Sequence, residues 1–565
     1  MITVNVLEHG VCSEDNRENV LYLRKLLDEY RDQGEVEILF PGGTYHFYPD
    51  YAVEKLLYIS NHDEDTIKKI AFDLTGYKDA KIRGEEAVFI FHTDIIPFYI
   101  HKCEGVTVSG ITIDYARPAY SEGTIRSVSA HHMELAIDKE KYPYVVNNGR
   151  IYFQGENYCH ELINGWLEMD AKRMAPVYRI RDLSYNNEWS GSLHAEFTEK
   201  CDGVVDIQLK REDQSFPKES KAGNRVILRH HLRTHPAFYL TDSKDVVLKD
   251  VLLYHCEGMA VISQFTENII IDHFDIKIHP QKKRIFTSTA DGFHFVYCRG
   301  DIIIRECLVE NQLDDPVNIH GIYGRIHKRI SEREILVELV EGMQKGVKLG
   351  AAGDYFAMVN HNTMLKQSEN KLEEIFVMNK DFQYMRFEDP IQGAQVGDVV
   401  ENLNYIPDVL IENCIFRNNR ARGLLLTSAG EVVVRNNEFS VPGAAILIEG
   451  DSNYWFESGA TKHILVEANK FKNCSYVPQW GNAPIQISPS AKSYVEGKRY
   501  HKYLEIRNNE FWCYDKRLIN AANIEEIIIK DNVIHQTDAF PPIEGNELEL
   551  ESVMVVDMDN NRRIK

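Results

Sequence analysis

The chain has 565 residues, of which 44% are apolar, so it can bury a large core as one elongated domain or as three compact ones. Its 86 acidic and 64 basic residues give a formal net charge of -22. This charge would repel nucleic acid phosphates and anionic membrane surfaces, so we expect neither nucleic acid nor membrane partners.

The amino terminus and the cysteines bear on location. Residues 1–16 contain acids and lack the basic start and apolar run of a secretion signal, and no later window is apolar enough for a membrane helix. The ten cysteines are scattered without close CxxC pairs, and we expect them to be buried apolar residues. The sequence favours a cytoplasmic protein, although a secreted protein whose signal had been removed would look the same.

The first predicted element is a helix that caps the chain. Asp15 and Glu18 precede it and Gly34 follows it, which are typical start and stop signals. Its apolar residues recur at helical spacing and would share one face: Val20, Leu23, Leu27 and Tyr30. A strand that ends in FPGGTY, from Phe40, comes next, and its glycines allow a tight corner.

A repeat then dominates the chain. Each copy has three apolar β-formers, two mostly polar residues, then Asn, Cys or an apolar residue, one spacer and a bulky apolar residue. The nine copies begin at Val106, Val246, Ile269, Ile302, Val409, Val432, Ile464, Leu504 and Ile527. Equivalent positions are 23 residues apart in three steps and 32 or 33 apart in two others. Such a period is typical of a solenoid.

This repeat predicts an all-β fold, a right-handed parallel β-helix, because crossovers between parallel strands are overwhelmingly right-handed. The sixth position of the repeat is expected to form an inward corner, where asparagines bond the backbone turns above and below. These asparagines are Asn437, Asn469, Asn509 and Asn532.

Two stretches interrupt the repeat and are interpreted as inserted β-rich, barrel-like modules. The predicted organisation is therefore a cap with the first coils (1–116), a first module (117–232), coils that carry the catalytic aspartates (233–324), a second module (325–402) and the C-terminal coils (403–565).

One short strand per coil begins with a polar residue, then Gly or Pro, then alternating apolar positions. The five copies begin at His235, Glu257, Asp291, Asp315 and Arg422, and we expect their equivalent residues to stack on successive coils. Alternation would turn Phe293, Phe295, Val317 and Ile319 into the bore and His294 and Asn318 outward.

Three aspartates in this column are the candidate catalytic residues: Asp291, Asp314 and Asp315. Stacked carboxylates raise one another's pKa, which is costly for stability and useful for acid catalysis. A glycosidase needs one protonated carboxyl for the leaving oxygen and one carboxylate that attacks or activates water. The backbone spacing does not decide between a retaining and an inverting arrangement.

Other residues of the column are candidates for substrate binding. His294, Asn318 and His320 could bond sugar hydroxyls, Arg422 could hold an aspartate ionised, and the aromatic Trp455 could stack on a sugar or pack against the solenoid. His235 and Glu257 complete the predicted binding set. The run from Ser60 to Asp63 has metal-binding side chains, but adjacent loop residues rarely give ligand geometry, so we expect no metal ion and no cofactor.

Five segments together resemble glycoside hydrolase family 110, the α-1,3-galactosidases that include enzymes acting on blood group B antigens. They are FPGGTY, ISNHD, GITIDYARP, DGFHF and NQLDDPVNIHG, and the resemblance runs from about Val36 to Asn532. It implies a β-helix with inserted barrels, an inverting mechanism without metal, and exo-acting release of galactose. It also implies that Asp291 is an acid/base residue and that Asp314 and Asp315 are the complementary pair.

The expected partner is a galactose-terminated oligosaccharide, branched or linear, and the inserted modules suggest a homodimer. Two other classes of function remain open. A different β-helix polysaccharide hydrolase or a calcium-dependent lyase would also carry aspartates on an outer sheet, although a lyase needs basic residues for uronates. A non-catalytic carbohydrate-binding solenoid would leave sugars unchanged.

Overall fold

The computed structural model describes residues 2–62, 67–162, 164–187 and 191–564. Most of the chain forms a right-handed parallel β-helix, whose coils each contribute strands to three parallel sheets. We name these sheets A, B and C in the order in which the chain visits them within one coil. Neighbouring strands in the coils pair in parallel, with two antiparallel exceptions among the described residues. Val53–Leu56 pairs with Ile67–Thr75, and the end of Val317–Ile322 pairs with the short strand Glu457–Ser458.

The strands of the three sheets are as follows. Sheet A contains Val53–Leu56, Ile67–Thr75, Ile96–His101, Phe238–Thr241, Val261–Gln264, Phe293–Val296, Val317–Ile322, Leu424–Leu426, Ile446–Ile448 and Ile485–Ile487. Sheet B contains Ile2–Asn5, Val36–Phe40, Ala80–Phe91, Glu104–Tyr115, Lys244–Leu253, Glu267–Ile276, Arg299–Arg305, Pro407–Glu412, Glu431–Arg435, His463–Glu467, His501–Arg507, Ile519–Lys530 and Leu548–Asp559. Sheet C contains Gly43–Phe47, Leu308–Glu310, Ile415–Arg417, Glu438–Ser440, Lys470–Lys472, Glu510–Cys513, Val533–Gln536 and Arg562–Ile564. Some long strands of sheet B bend into a neighbouring sheet. The ends of Ala80–Phe91, Glu104–Tyr115, Lys244–Leu253 and Glu267–Ile276 extend sheet C, and the starts of Ile519–Lys530 and Leu548–Asp559 extend sheet A.

The repeat forms the bore. Its first, third and last positions are buried in one continuous core. In four successive copies the last position is a phenylalanine: Phe416, Phe439, Phe471 and Phe511 stack with ring centroids 5.4, 5.1 and 4.6 Å apart. Burial of these rings supplies apolar contact along the later coils.

The predicted asparagine corner is confirmed. In each step an asparagine side chain accepts from the backbone N–H and side-chain amide of the asparagine one coil earlier, as Asn469 Oδ1 does from Asn437 at 2.9 and 3.0 Å. Its own amide donates to a backbone carbonyl, Val434 O, at 2.8 Å. The ladder also includes Asn561, which lies outside the nine predicted copies of the repeat.

A helix at Asn19–Tyr30 covers the N-terminal end of the bore and buries Val20, Leu23 and Leu27, as predicted. Its first residue, Asn19, is itself buried, because its amide donates to the backbone carbonyls of Cys12 and His46. Short 3-10 helices lie at Val6–His9, Pro49–Tyr51, Gly342–Gln344 and Pro478–Trp480.

The first inserted module contains a seven-stranded antiparallel sheet and a three-stranded sheet around one apolar core. Its strands are Ser121–Val128, His132–Ala136, Tyr144–Asn147, Arg150–Gly155, Tyr158–Glu161, Trp166–Asp170, Ala175–Pro176, Ala195–Cys201, Val204–Leu209 and Arg225–Leu228. Hydrogen bonds do not close this sheet within the described part of the chain.

The second module is a closed six-stranded barrel. Its strands are Gly324–Arg329, Glu334–Glu338, Tyr355–Val359, Lys366–Val377, Phe382–Phe387 and Val399–Asn402. Both modules leave the β-helix and return to the next coil without disturbing the register. Lys244 pairs directly with Glu104, and Ile302 pairs with Val409.

All ten cysteines are free thiols, and seven are buried, as expected of apolar core residues. No helix within the described ranges is long and apolar enough to cross a membrane.

Candidate active site

Sheet A brings the predicted catalytic residues together. Phe293 pairs with Val317, and Val317 pairs with Leu424, so the residues two positions earlier are equivalent on three successive coils. These residues are Asp291, Asp315 and Arg422. Phe293, Phe295, Val317 and Ile319 face the core as predicted, and His294 and Asn318 lie on the opposite face. That face is not solvated here, because His294 is 1% and Asn318 5% exposed.

The predicted alignment of His235 and Glu257 with this column is wrong. Phe238 pairs with Val261, and Val261 with Phe293, so Met259 takes the position equivalent to Asp291. Between the predicted polar residue and the strand there is one extra residue after His235 and there are two after Glu257, compared with the coil of Asp291. The shared pattern of a polar residue followed by Gly or Pro does not reveal this difference. His235 and Glu257 therefore lie with Asp94 in a separate cluster and do not line the pocket described next.

A pocket opens over the three aspartates. Its walls come from an N-terminal loop, the segment after the first module, the second module and a late coil, so it is closed on several sides. The lining residues are Asn61, Arg233, Met259, Asp291, His294, Asp314, Asp315, Asn318, Met343, Arg422, Leu425, Glu449, Trp455 and Glu457. One oxygen from each of the three aspartates lies within 4.8 Å of the other two.

Two histidines fix the hydrogen bonds of Asp291. His320 Nδ1 lies 2.7 Å from Gly321 O, and because a carbonyl only accepts, Nδ1 carries the hydrogen. His320 Nε2 then accepts from His294 Nε2 at 2.8 Å, and His294 Nδ1 must accept from Asp291 Oδ2 at 2.5 Å. Burial lowers the pKa of both imidazoles, that of His320 to about 4, so both are neutral at pH 7. The chain of contacts therefore places a proton on Asp291.

Three arginines surround the other two aspartates. Asp314 accepts from Arg233 at 2.9 Å and from Arg420 at 3.2 Å. Asp315 accepts from the Arg422 guanidinium at 2.8 and 3.2 Å and from its backbone N–H at 2.7 Å. Arg422 thus pairs with an aspartate, as predicted, but burial outweighs its charge and the pKa of Asp315 is raised. Arg233 and Arg420 come from segments that the strand pattern did not include, so the sequence did not predict them.

These surroundings separate the pKa values of the trio. Burial, and then the charge of Asp314, raise the pKa of Asp291 to about 7. Burial also raises the pKa of Asp315 to about 7, although Arg422 opposes it. Burial opposes ionisation of Asp314 too, but Arg420 and Arg233 outweigh it and hold its pKa below the usual value. Near neutral pH the trio holds both an ionised carboxylate and a transferable proton.

The remaining predicted residues lie at or next to the pocket. Asn318 Oδ1 is buried and has no hydrogen-bond partner in the described part of the chain, so it can accept from a sugar hydroxyl. Trp455 is 37% exposed at the mouth, where its carbonyl accepts from Gln344 of the barrel at 2.9 Å. In the run from Ser60 to Asp63, where no metal ion was expected, Asn61 lines the pocket, whereas Asp63 lies outside the described residues.

Sequence reasoning missed two glutamates. Glu457 follows Trp455 in the same loop and Glu449 follows a strand of sheet A, and both line the pocket. Burial raises the pKa of Glu457 to about 8 and that of Glu449 to about 7. Glu457 lies two residues after Trp455, so the aromatic loop was a sequence signal that pointed to it. No sequence pattern singles out Glu449.

Family comparisons match three parts of the chain. GLAA-B beta-barrel domain I matches residues 121–226, GLAA-B beta-barrel domain II matches residues 334–400, and the right handed beta helix region matches residues 391–471. Among solved structures, a hyperthermoactive exopolygalacturonase from Thermotoga maritima is similar at 12% identity, with a TM-score of 0.43 over 98% of this chain and 92% of that one.

Curated relatives cover nearly the full length. Alpha-1,3-galactosidase A from Shewanella woodyi is 31% identical over 95% of this chain and 86% of that protein. Alpha-1,3-galactosidase B from Bacteroides thetaiotaomicron is 30% identical over 99% of this chain and 90% of that protein. The chain therefore belongs to the α-1,3-galactosidase family of glycoside hydrolases.

Proposed function

We propose that the protein is an exo-acting, inverting α-1,3-galactosidase of glycoside hydrolase family 110. The observation that carries this proposal is the trio Asp291, Asp314 and Asp315 at the base of a walled pocket, in a chain of this family. Walls from four parts of the chain suit a terminal sugar better than the middle of a polymer, which supports exo action.

The trio supplies the groups that hydrolysis needs. An acid gives its proton to the glycosidic oxygen as the C1–O bond breaks, while a carboxylate takes a proton from the water that bonds to C1. The hydrogen bonds of Asp291 place the transferable proton on its carboxyl, and Asp314, which accepts from Arg233 and Arg420, is ionised. Asn318 and the two glutamates can bond hydroxyls, and Trp455 can stack on the apolar face of the sugar.

Inversion rests on the resemblance in DGFHF and LDDPVNIHG. The nearest aspartate oxygens lie within 4.8 Å, which is shorter than the roughly 6.5–9.5 Å between the carboxyls of most inverting pairs. A third carboxylate distinguishes this site from a two-carboxyl retaining site, since two carboxylates can hold one water while another group protonates the leaving oxygen.

The test is hydrolysis of Gal-α-1,3-Gal and Gal-α-1,4-Gal with the anomeric proton of released galactose followed by NMR. We expect β-galactose first, from the α-1,3 substrate alone, and no release by Asp291→Asn or Asp315→Asn. Early α-galactose would refute inversion, and no release from either disaccharide would refute the galactosidase itself.

Two further substrates sharpen the proposal. A fucosylated blood group B-type trisaccharide, compared with linear Gal-α-1,3-Gal, measures whether the pocket accepts a branch; we expect both to be cleaved. A dinitrophenyl α-galactoside needs little protonation of its leaving group, so an acid variant keeps most of its activity on it. We expect Asp314→Asn to stay inactive on this substrate, and substantial activity would instead make Asp314 the acid.

A further inference from the structure

A second cluster of polar side chains lies in the coils that precede Asp291. One carboxylate oxygen each from Asp94 and Glu257 and one ring nitrogen of His235 lie within 4.8 Å of one another. All three residues stand just before strands of sheet A, and none of them lines the active-site pocket. The proposed hydrolysis does not use them.

Glu257 carries an unsatisfied carboxylate oxygen. It is 2% exposed, and its Oε2 is buried with no hydrogen-bond partner among the described residues. A buried carboxylate without a partner is strongly unfavourable, and a second carboxylate beside it, Asp94, adds repulsion. The group that would relieve both costs is a cation.

The neighbours of the cluster hold its members in a form that suits a metal ligand. Thr234 Oγ1 lies 2.7 Å from His235 Nδ1 and can accept its hydrogen, which leaves Nε2 with the free lone pair. His231 Nε2 lies 3.0 Å from Asp94 Oδ1 and donates to it. Metal ligands are typically oriented by such outer hydrogen bonds, because these fix the tautomer and the carboxylate.

We propose that Asp94, His235 and Glu257 bind one divalent transition-metal ion of the zinc class. Two carboxylates and a neutral imidazole suit zinc in charge and ligand type, and three protein ligands leave a position for water. The proposal departs from the sequence-based expectation of no metal ion. The catalytic trio is not an equivalent site, because Arg233, Arg420 and Arg422 already lie against its oxygens.

The ion would tie the segment 231–235 to the β-helix. Arg233 in the middle of this segment reaches Asp314 at 2.9 Å. The metal is thus structural: it would hold Arg233, one of the two arginines that keep Asp314 ionised, without touching substrate.

The experiment measures binding directly. Protein stripped with a chelating resin is titrated with Zn²⁺ by calorimetry, and bound zinc is counted by elemental analysis after dialysis. We expect one zinc per chain, a loss of at least about 100-fold in affinity in Glu257→Gln, and a loss of about 10–100-fold in Thr234→Val, which keeps its volume and loses only the hydroxyl.

The matched control is His46→Gln, in the cluster formed by Asp15, His46 and His92. It should keep one zinc. Wild-type protein that binds no stoichiometric zinc, unchanged affinity in folded Glu257→Gln, or loss of zinc in His46→Gln would each overturn the proposal.

A second measurement needs no variant. Co²⁺ added to stripped wild-type protein should produce a visible absorption band that one equivalent of Zn²⁺ abolishes. If Glu257→Gln fails to fold, this spectrum and Thr234→Val still decide the question, and absence of the band counts against the site. Both readouts are independent of galactosidase activity.

Discussion

His294 Nδ1 lies 2.5 Å from Asp291 Oδ2, and the tautomers of the two histidines make this nitrogen the acceptor. A hydrogen bond to the protonated carboxyl favours the neutral form of Asp291 and so helps to raise its pKa. His294 is thus a positioning residue that holds a proton in the catalytic trio.

Replacing His294 should move the pH profile. In His294→Gln the side-chain amide donates to the Asp291 carboxylate, which favours the ionised form and lowers the pKa of Asp291. We therefore expect the part of the pH profile of kcat/KM that reports the ionisation of Asp291 to move about one pH unit lower. The measurement is kcat/KM against pH. The exposed His131 supplies the control His131→Gln, and a lower rate with an unmoved limb would show that His294 acts only through packing.

The raised pKa of Asp291 should cost stability at high pH. Its folded-state pKa of about 7 lies above the ordinary carboxyl value of 3.8, so the folded chain binds more protons between these values and its stability falls as pH rises through this window. We expect Asp291→Asn to be more stable than wild type at pH 8, by on the order of 2 kcal/mol, with the difference shrinking toward pH 4.

Denaturant unfolding at pH 4, 6 and 8 measures this difference. Asp242→Asn is the matched control, because Asp242 is exposed directly after a strand of sheet A. A difference between Asp291→Asn and wild type that does not depend on pH would contradict the assignment.

Trp455 should contribute to binding rather than to chemistry. Its ring is partly exposed at the pocket mouth, so Trp455→Ala should raise KM about 5–20-fold, as expected for the loss of roughly 1–2 kcal/mol of stacking, with kcat nearly unchanged. The adjacent Tyr454 is 67% exposed and is not part of the pocket lining, so Tyr454→Ala is the control. Equal effects of both changes would mean that the loop, not the indole, binds substrate.

The asparagine ladder should carry a large share of local stability. Asn469→Ala leaves the carbonyl of Val434 and the backbone N–H of Asn437 without partners in a buried corner, which should lower the free energy of unfolding by about 2–4 kcal/mol. Denaturant midpoints measure this cost. Asn520→Ala removes one long, exposed hydrogen bond and should change stability by less than about 0.5 kcal/mol.

The repeat predicted much of the fold because each coil repeats the same physical requirement. An apolar residue that faces the bore, such as Phe439, must recur at every turn, and in the later coils an asparagine that bonds its neighbours, such as Asn437, recurs with it. The same regularity placed Asp291, Asp315 and Arg422 on successive coils, since the entry to sheet A has equal length on these three.

Prediction failed where contacts depend on segments outside the repeat. His235 and Glu257 were misaligned because one or two extra residues shift the register of a coil without changing its pattern. Arg233 and Arg420 approach Asp314 from loops whose paths no local periodicity specifies. The covering of His294 likewise depends on how the loops and modules fold back over sheet A.

The first module lies, in sequence, between residues of two adjacent coils that contact each other. Cys103 and Ser243 are hydrogen-bonded neighbours although 140 residues apart, whereas partners in the ladder such as Cys414 and Asn437 are 23 apart. Closing the longer loop costs roughly 1.6 kcal/mol more if that loop is unstructured. Folding the module first removes this cost, because it brings its two ends together. We therefore expect the coils on either side to form separately and to join only after the module has folded. Arg233 follows this module directly, so its contact with Asp314 depends on the module having folded, and a module far from the substrate therefore helps to complete the active site.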